Sequence, residues 1–407
     1  MLQRRFTAIK RTYRSHFRAR SKTEMAHFLP QEIFDLIIDH LHDEPSALKA
    51  CCLVSREWVQ RARKHLFAHI EFDAFSRSVS RWSETFPDPA NSPAHNARSL
   101  SIRYSTDLRA EDIETFPAFP NTIHLNVETK VPLGYRFRLV PLHRISTVIR
   151  SLRLVSNSLR DSGVFGLICS LPLLEDLTLI SHVLRPPEEW TRPQTSPRLT
   201  GSLELYVDWG IDSVTHRLLD FPNGLHFKRI VVRVSYHQDV GSVSDLVSRC
   251  SDTLESLSID YPFSRVSHST SAPNRHLTLR VDSSPSIDLS RTTKLRDVEF
   301  LCVEPSIQWI TNTLRTAESK QIRRISIGLF RGGLMRLSPQ ECSDLDPLLV
   351  HFWTSHSLRL KVMHDYTGSP EAALAWLLPQ TMSVAVVDLV KYPRVPPPTT
   401  SISTAFW

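Results

Sequence analysis

Apolar residues in this chain follow two patterns. From residue 30 to 66 they recur at helical spacing. Ile33, Ile37 and Leu41 form a stripe, widened by Phe34 and Ile38, while Gln31, Glu32, Asp35 and Asp39 cover the other side. Pro30 suits the first turn of that helix, where its missing N–H has no partner to lose. Glu32 and Asp35 complement the positive end of the helix dipole. Pro45 forbids continuation. Leu48, Cys51, Cys52 and Val54 then predict a second short helix, and Ser55 caps a third in which Trp58, Val59, Ala62 and Leu66 share a face. Three such helices in about forty residues have little core of their own, so docking is expected to complete the unit.

Beyond residue 98 the period changes to two. SLSIRY from Ser99, IHLNVE from Ile123, SLRLVSN from Ser151, DLTLIS from Asp176, SLELYV from Ser202 and IVVRV from Ile230 alternate as strands with one buried face do. SLSID from Ser256, HLTLRV from His276, DVEFLCV from Asp297, RISIGL from Arg324 and SLRLKV from Ser357 continue the series. The marks Leu100, Ile123, Leu152, Leu177, Leu203, Ile230, Leu257, Leu277, Val298, Ile325 and Leu358 lie 20 to 33 residues apart. SGVFGLICSLPLL, VSDLVSRCSDTL and SIQWITNTLRTAESK read as helices between strands. The expected fold class is α/β, a small three-helix unit followed by an irregular solenoid with parallel strands on its concave side. The competing reading is an irregular α/β domain with evenly spaced strands. Residues 73–95, with Pro87, Pro89 and Pro93 among serines, read as a linker.

The chain has 407 residues, of which 41% are hydrophobic, enough for a full core. Its formal charge of +7 resides in residues 1–24, where eight basic residues face Glu24 alone. The remainder is balanced, so the body offers no electrostatic reason to bind nucleic acid. That basic extension is expected to be disordered, and to lie upstream of a start at Met25. Its stripe of Leu2, Phe6, Ile9, Tyr13 and Phe17 also suits an anionic membrane surface, a transit peptide or a nuclear signal. VFGLICSLPLL, the longest apolar run, is too short to span a bilayer and is broken by Pro172, so no transmembrane segment is expected. Six cysteines without CxxC spacing argue against zinc and against a disulfide framework, and suit a reducing compartment.

LPxEIxxxIIxxL followed by LxxxCLVSRxW resembles the F-box, here over residues 25–72. The resemblance implies that Leu29, Pro30, Ile33, Ile37, Leu41, Leu48, Leu53, Val54 and Trp58 contact the Skp adaptor and, through it, a cullin. Leu29 and Trp58 are the expected anchors. Cys51-Cys52 and the basic run Arg61, Arg63, Lys64 depart from the pattern. Residues 96–390 resemble a degenerate leucine-rich-repeat domain, followed by a tail over 391–407. The L-x-L-x-x-N element is complete only at Asn157, whose side chain suits bonding to turn backbone; His182 holds the equivalent place. The arrangement is similar to that of many fungal F-box proteins. It implies a substrate-recognition adaptor of a ubiquitin ligase, cytoplasmic or nuclear, binding an unknown protein target. The alternative is a protein-interaction scaffold outside ubiquitination.

A helix-turn-helix reading of REWVQRARKH would turn Trp58 and Val59 toward base edges, and the neutral body lacks a phosphate-binding stripe. No catalytic constellation emerges. The glycines make no GxGxxG, P-loop or GxSxG, and no HExxH occurs. His65 and His69 are four apart without an evident carboxylate on their face. Glu175 with Asp176, and Glu188 with Glu189, read as solvated. Trp190 and Arg192 stand in a proline-bearing loop suited to a partner or to a convex insertion. No enzyme activity, cofactor or metal is therefore expected.

Overall fold

A computed structural model describes residues 30–73, 75–88, 90–104, 116–129, 142, 145–185, 193–234, 239–261, 286–302, 307–317, 322–329, 339–355, 359–364, 370–384 and 387–391. Leu29, the basic extension, HLTLRV from His276, and the loop with Trp190 and Arg192 lie outside them. The chain divides into two compact units, Met1–Ile70 with Asp88–Arg98, and Glu71–Pro87 with Ser99–Trp407.

The first unit holds three helices, α1 (Gln31–His40), α2 (Pro45–Val54) and α3 (Arg56–Leu66). Pro30 immediately precedes α1, and Pro45 occupies the first turn of α2, where proline is tolerated. Ser55 is extended and accepts the Glu57 N–H at 3.3 Å, capping α3 as its sequence position predicts. Both α1 and α2 pack on α3. Ile38, Leu48, Cys51 and Ala62 are buried together, with Leu41, Cys52, Trp58 and Leu66 against them.

The second unit is mixed α/β, built on a sheet of twelve strands in chain order, the first of which spans the Ile70–Glu71 boundary. These are β1 (His69–Phe72), β2 (Ser99–Tyr104), β3 (His124–Thr129), β4 (Ser151–Arg160), β5 (Asp176–Arg185), β6 (Ser202–Trp209), β7 (Arg229–Arg233), β8 (Ser256–Tyr261), β9 (Asp297–Cys302), β10 (Arg324–Leu329), β11 (Arg359–His364) and β12 (Val387–Lys391). Every pairing from β2 to β12 is parallel. The helices are α4 (Phe75–Thr85), α5 (Asp161–Cys169), α6 (Ile211–Leu219), α7 (Asp239–Arg249), α8 (Gln308–Thr316), α9 (Pro339–Ser355), α10 (Pro370–Leu377) and α11 (Pro379–Val384).

Two apolar rows run across the strands. Leu100, Leu125, Leu152, Leu177, Leu203, Ile230, Leu257, Val298, Ile325 and Leu360 stand in register, as do Ile102, Val127, Leu154, Leu179, Leu205, Val232, Ile259, Phe300, Ile327 and Val362. All twenty are buried. Each such aliphatic side chain contributes roughly 2 kcal/mol of hydrophobic stabilisation. A parallel sheet covered on both faces reads as continuous apolar runs. These strands alternate, so one face is packed and the other polar. On the packed side α5 meets β4, and α6 meets β5, β6 and α7.

The register corrects the marks at two strands: Leu125 rather than Ile123, and Leu360 rather than Leu358, hold the row. The solenoid expectation is corrected too. The row interval stays at 25 to 27 residues from Leu100 to Leu257, then opens to 41 before Val298 and to 35 between Ile325 and Leu360. What recurs is the strand, not a uniform strand-and-crossover unit, and the result is a single sheet. The segment read as a linker contains α4, whose Val79 is buried. Trp82 of that helix lies 5.8 Å from Phe72 and 5.6 Å from Phe119, ring centre to ring centre. Asn157 and His182 do not end their strands, which continue to Arg160 and Arg185. The buried polar groups there are their neighbours Ser156 and Ser181, whose hydroxyls donate to the Ser158 and Val183 carbonyls at 2.9 and 2.8 Å.

Neighbouring strands are also tied at their entry. Asp176 Oδ1 accepts from the Ser202 N–H at 2.6 Å and the Ser202 hydroxyl at 2.8 Å. Asp176 is therefore engaged rather than solvated, and Glu175 accepts from Arg150 at 2.7 Å. A Cβ on Gly201 would stand 2.2 Å from that Asp176 oxygen and 3.1 Å from the Glu175 carbonyl. Gly201→Ala is expected to destabilise the sheet by about 1–3 kcal/mol, the usual cost of overpacking, read as a lower urea midpoint with unchanged slope.

Candidate functional site

Helix α1 is apolar on two sides. Phe34, Ile38 and Leu41, at spacings of four and three, turn toward the interior; Phe34 packs its ring 5.0 Å from that of Trp58. Ile33, Leu36 and Ile37 occupy the other side and are 40%, 56% and 46% exposed. At the end of α2, Leu53 is 89% exposed and Val54 64%. Five large aliphatic side chains thus face water on a unit of three short helices. Ile33, Leu36 and Ile37 lie within about one turn of α1, and apolar exposure gathered on one helix face marks interaction surfaces, whereas scattered exposed residues need no explanation.

The nine residues that the sequence singles out fall into three groups. Pro30, Ile33, Ile37, Leu53 and Val54 are exposed. Leu48 is buried, and Leu41 and Trp58 are partly buried against the core, so these three hold the helices together. Leu29 lies outside the described residues. Leu36 is the member that the sequence reading missed. Its spacing from Ile33 was the available signal, since residues three apart share a helix face.

One polar cluster fixes α1 on α3. Arg61 donates to Asp39 from Nε at 2.7 Å and also from Nη2, while His65 Nε2 lies 2.7 Å from Asp39 Oδ1. His65 therefore does have a carboxylate beside it, supplied by another helix. The Arg61 hydrogen bond, with a smaller contribution from His65, holds the Asp39 carboxyl well below the usual carboxylate range. The sign follows. Stability from this contact is fully present above the unfolded carboxylate value of about 4 and is lost as pH falls through the lower folded value. Asp39→Asn is expected to cost about 1 kcal/mol near neutral pH, because the pair is partly solvated. The gap between variant and wild type should close on acidification, measured by urea unfolding at several pH values.

Chemistry elsewhere is sparse. Burial pushes the thiols of Cys169 and Cys342 up to about 11, and that of Cys250 up to about 12, so they are poor nucleophiles. Among the described residues no three His, Cys, Asp or Glu side chains are placed to hold a metal ion. No helix among them is long and apolar enough to cross a membrane. No protein-family model matches this chain, and no curated protein sequence matches it.

Proposed function

We propose that this chain is the substrate-recognition adaptor of a Skp–cullin–F-box ubiquitin ligase, with an F-box over residues 25–72 and the parallel-sheet body as its target-binding part. One observation carries the reading: Pro30, Ile33, Ile37, Leu53 and Val54, which the F-box resemblance assigns to the Skp adaptor, are exposed although the unit has its own core. A partner's groove would complete their burial. The chain then performs no chemistry itself. The body binds a protein target, and the gain comes from holding target lysines near the ubiquitin-loaded enzyme. The cytoplasm and the nucleus are where such a ligase works.

The test is titration calorimetry of the purified full chain with a purified Skp adaptor. The expected Kd is about 1 μM or tighter, within the range of standard-size interfaces. Absence of binding at high micromolar concentration removes the reading and leaves the scaffold alternative, which the broad polar face of the sheet favours.

A further inference from the structure

We propose that the open face of the sheet along β10 binds a small zwitterion, a molecule with an ammonium and a carboxylate a few ångströms apart, the chemistry of a free amino acid. β10 is the low strand of that face. After Arg324 at its start it presents only Ser326 and Gly328, while its neighbours present the longer Glu299 from β9 and Lys361 from β11. A groove of about 440 Å³ opens over them, of small-ligand size.

Ser326 is the decisive residue. It lines the groove and is 5% exposed, yet among the described residues its hydroxyl has no hydrogen-bond partner. Buried side-chain polar groups are mostly paired, so this one points to a partner from outside the chain. Ser258, in the same row two strands away, is the contrast: it is buried too and donates to Glu299 at 2.8 Å.

The charges around Ser326 decide what that partner carries. Three cations, Arg229, Arg324 and Lys361, and three carboxylates, Asp297, Glu299 and Asp388, line the groove, so it favours no ligand of a single sign. Arg229 donates to Glu204 at 2.7 Å, and Asp297 is 3.7 Å from Arg324. Lys361 forms no ion pair among the described residues, although Asp388 stands beside it in register. Glu299 and Lys361 flank Ser326 from opposite sides, their backbones about 10 Å apart across the intervening strand. A ligand between them meets a carboxylate on one side, an ammonium on the other and a hydroxyl below. Its own ammonium would donate to Glu299, and its carboxylate would accept from Lys361 and Ser326, all charge-assisted hydrogen bonds. A ligand with one charge alone leaves one wall unmatched.

This site lies wholly on the sheet and its test uses no Skp adaptor, so it stands or falls apart from the adaptor reading. Each of the standard free L-amino acids is screened against the full chain by saturation-transfer NMR. The strongest binder is then titrated beside its N-acetyl form, which keeps only the carboxylate, and its carboxamide, which keeps only the ammonium. Both blocked forms are expected to bind about tenfold or more weakly. Residues 1–24 are basic and would instead favour the N-acetyl form, so this preference cannot come from them. Lys361→Met keeps the aliphatic stem and removes the cation. It is expected to weaken the free amino acid about tenfold and leave the carboxamide unchanged. Ser326→Val, which removes the hydroxyl, is expected to weaken the free amino acid as well. Far-ultraviolet circular dichroism checks that both variants fold, and the comparison of ligand forms on the natural chain is decisive without them. Absence of saturable binding by every amino acid overturns the proposal and leaves water as the partner of Ser326. Equal binding of the free and blocked forms overturns it too, as does unchanged affinity in a folded Lys361→Met.

Discussion

Leu53→Asp combined with Ile37→Asp is expected to remove measurable binding of the Skp adaptor while leaving the fold intact. Both side chains already face water, Leu53 at 89% exposure and Ile37 at 46%, so a carboxylate there costs the free chain little. In a complex each would lose an apolar anchor worth about 2 kcal/mol and leave a charge without water or partner. Two such losses weaken binding by at least about 100-fold. Calorimetry of the adaptor titration reads the loss, and circular dichroism reads the fold. Leu48→Asp is the contrast. Leu48 is buried with Ile38 and Ala62, so that variant loses helix signal as well as binding. If Leu53→Asp/Ile37→Asp binds the adaptor as the natural chain does, the exposed aliphatics serve something else and the ligase assignment fails. Trp58 is unsuited to this test, because its ring packs on Phe34 and its removal disturbs the unit itself.

That contrast marks a limit of reading the sequence. Phe34, Ile38 and Leu41 are as apolar as Ile33, Leu36 and Ile37, and periodicity alone does not say which set turns inward. The choice is made by α3, through Ala62, Trp58 and the Asp39–Arg61 contact, and these are tertiary facts. The sheet was more legible, since alternation reports one buried face directly. Where two apolar pairs overlapped, as in Ile123–Leu125 and Leu358–Leu360, the mark fell one pleat early. HIEF and VDLVK, the outermost strands, are too short to stand out from their surroundings. The helix α4 is hidden in a serine-rich stretch, because Val79 and Trp82 carry its apolar face among the described side chains and the prolines beyond it dominate the composition. The polar groove on the open face of the sheet, lined by Arg229, Ser258, Glu299, Ser326, Lys361 and Asp388, is not visible in the sequence at all. Its residues lie up to 159 positions apart, and only the register brings them side by side.

The register also concentrates risk at the far end of the sheet, where one carboxylate holds two helices together. Asp346 of α9 is buried, and its two oxygens accept the N–H groups of Thr381 and Gln380 at 2.7 and 2.8 Å. Those amides belong to the first turn of α11, which has no earlier carbonyls to satisfy them. The negative charge also complements the positive end of that helix. Thr381 returns a hydroxyl hydrogen bond to the Asp346 carbonyl at 3.3 Å. Asp346→Ala therefore strips two charge-assisted bonds from a dry site and leaves two amide donors unsatisfied. Expected destabilisation is about 3 kcal/mol, the upper range for a single buried acceptor. Asp346→Asn keeps one carbonyl oxygen, so its urea midpoint should fall between those of Ala and the natural chain. Because α11 leads directly into β12, loosening should begin there. Faster amide exchange across residues 379–391, ahead of the central strands, is the local signature. Uniform loss across the sheet would instead mean that Asp346 acts on the core as a whole. An unchanged midpoint for Asp346→Ala would show that water replaces the carboxylate and that the two helices are held by their apolar contacts alone.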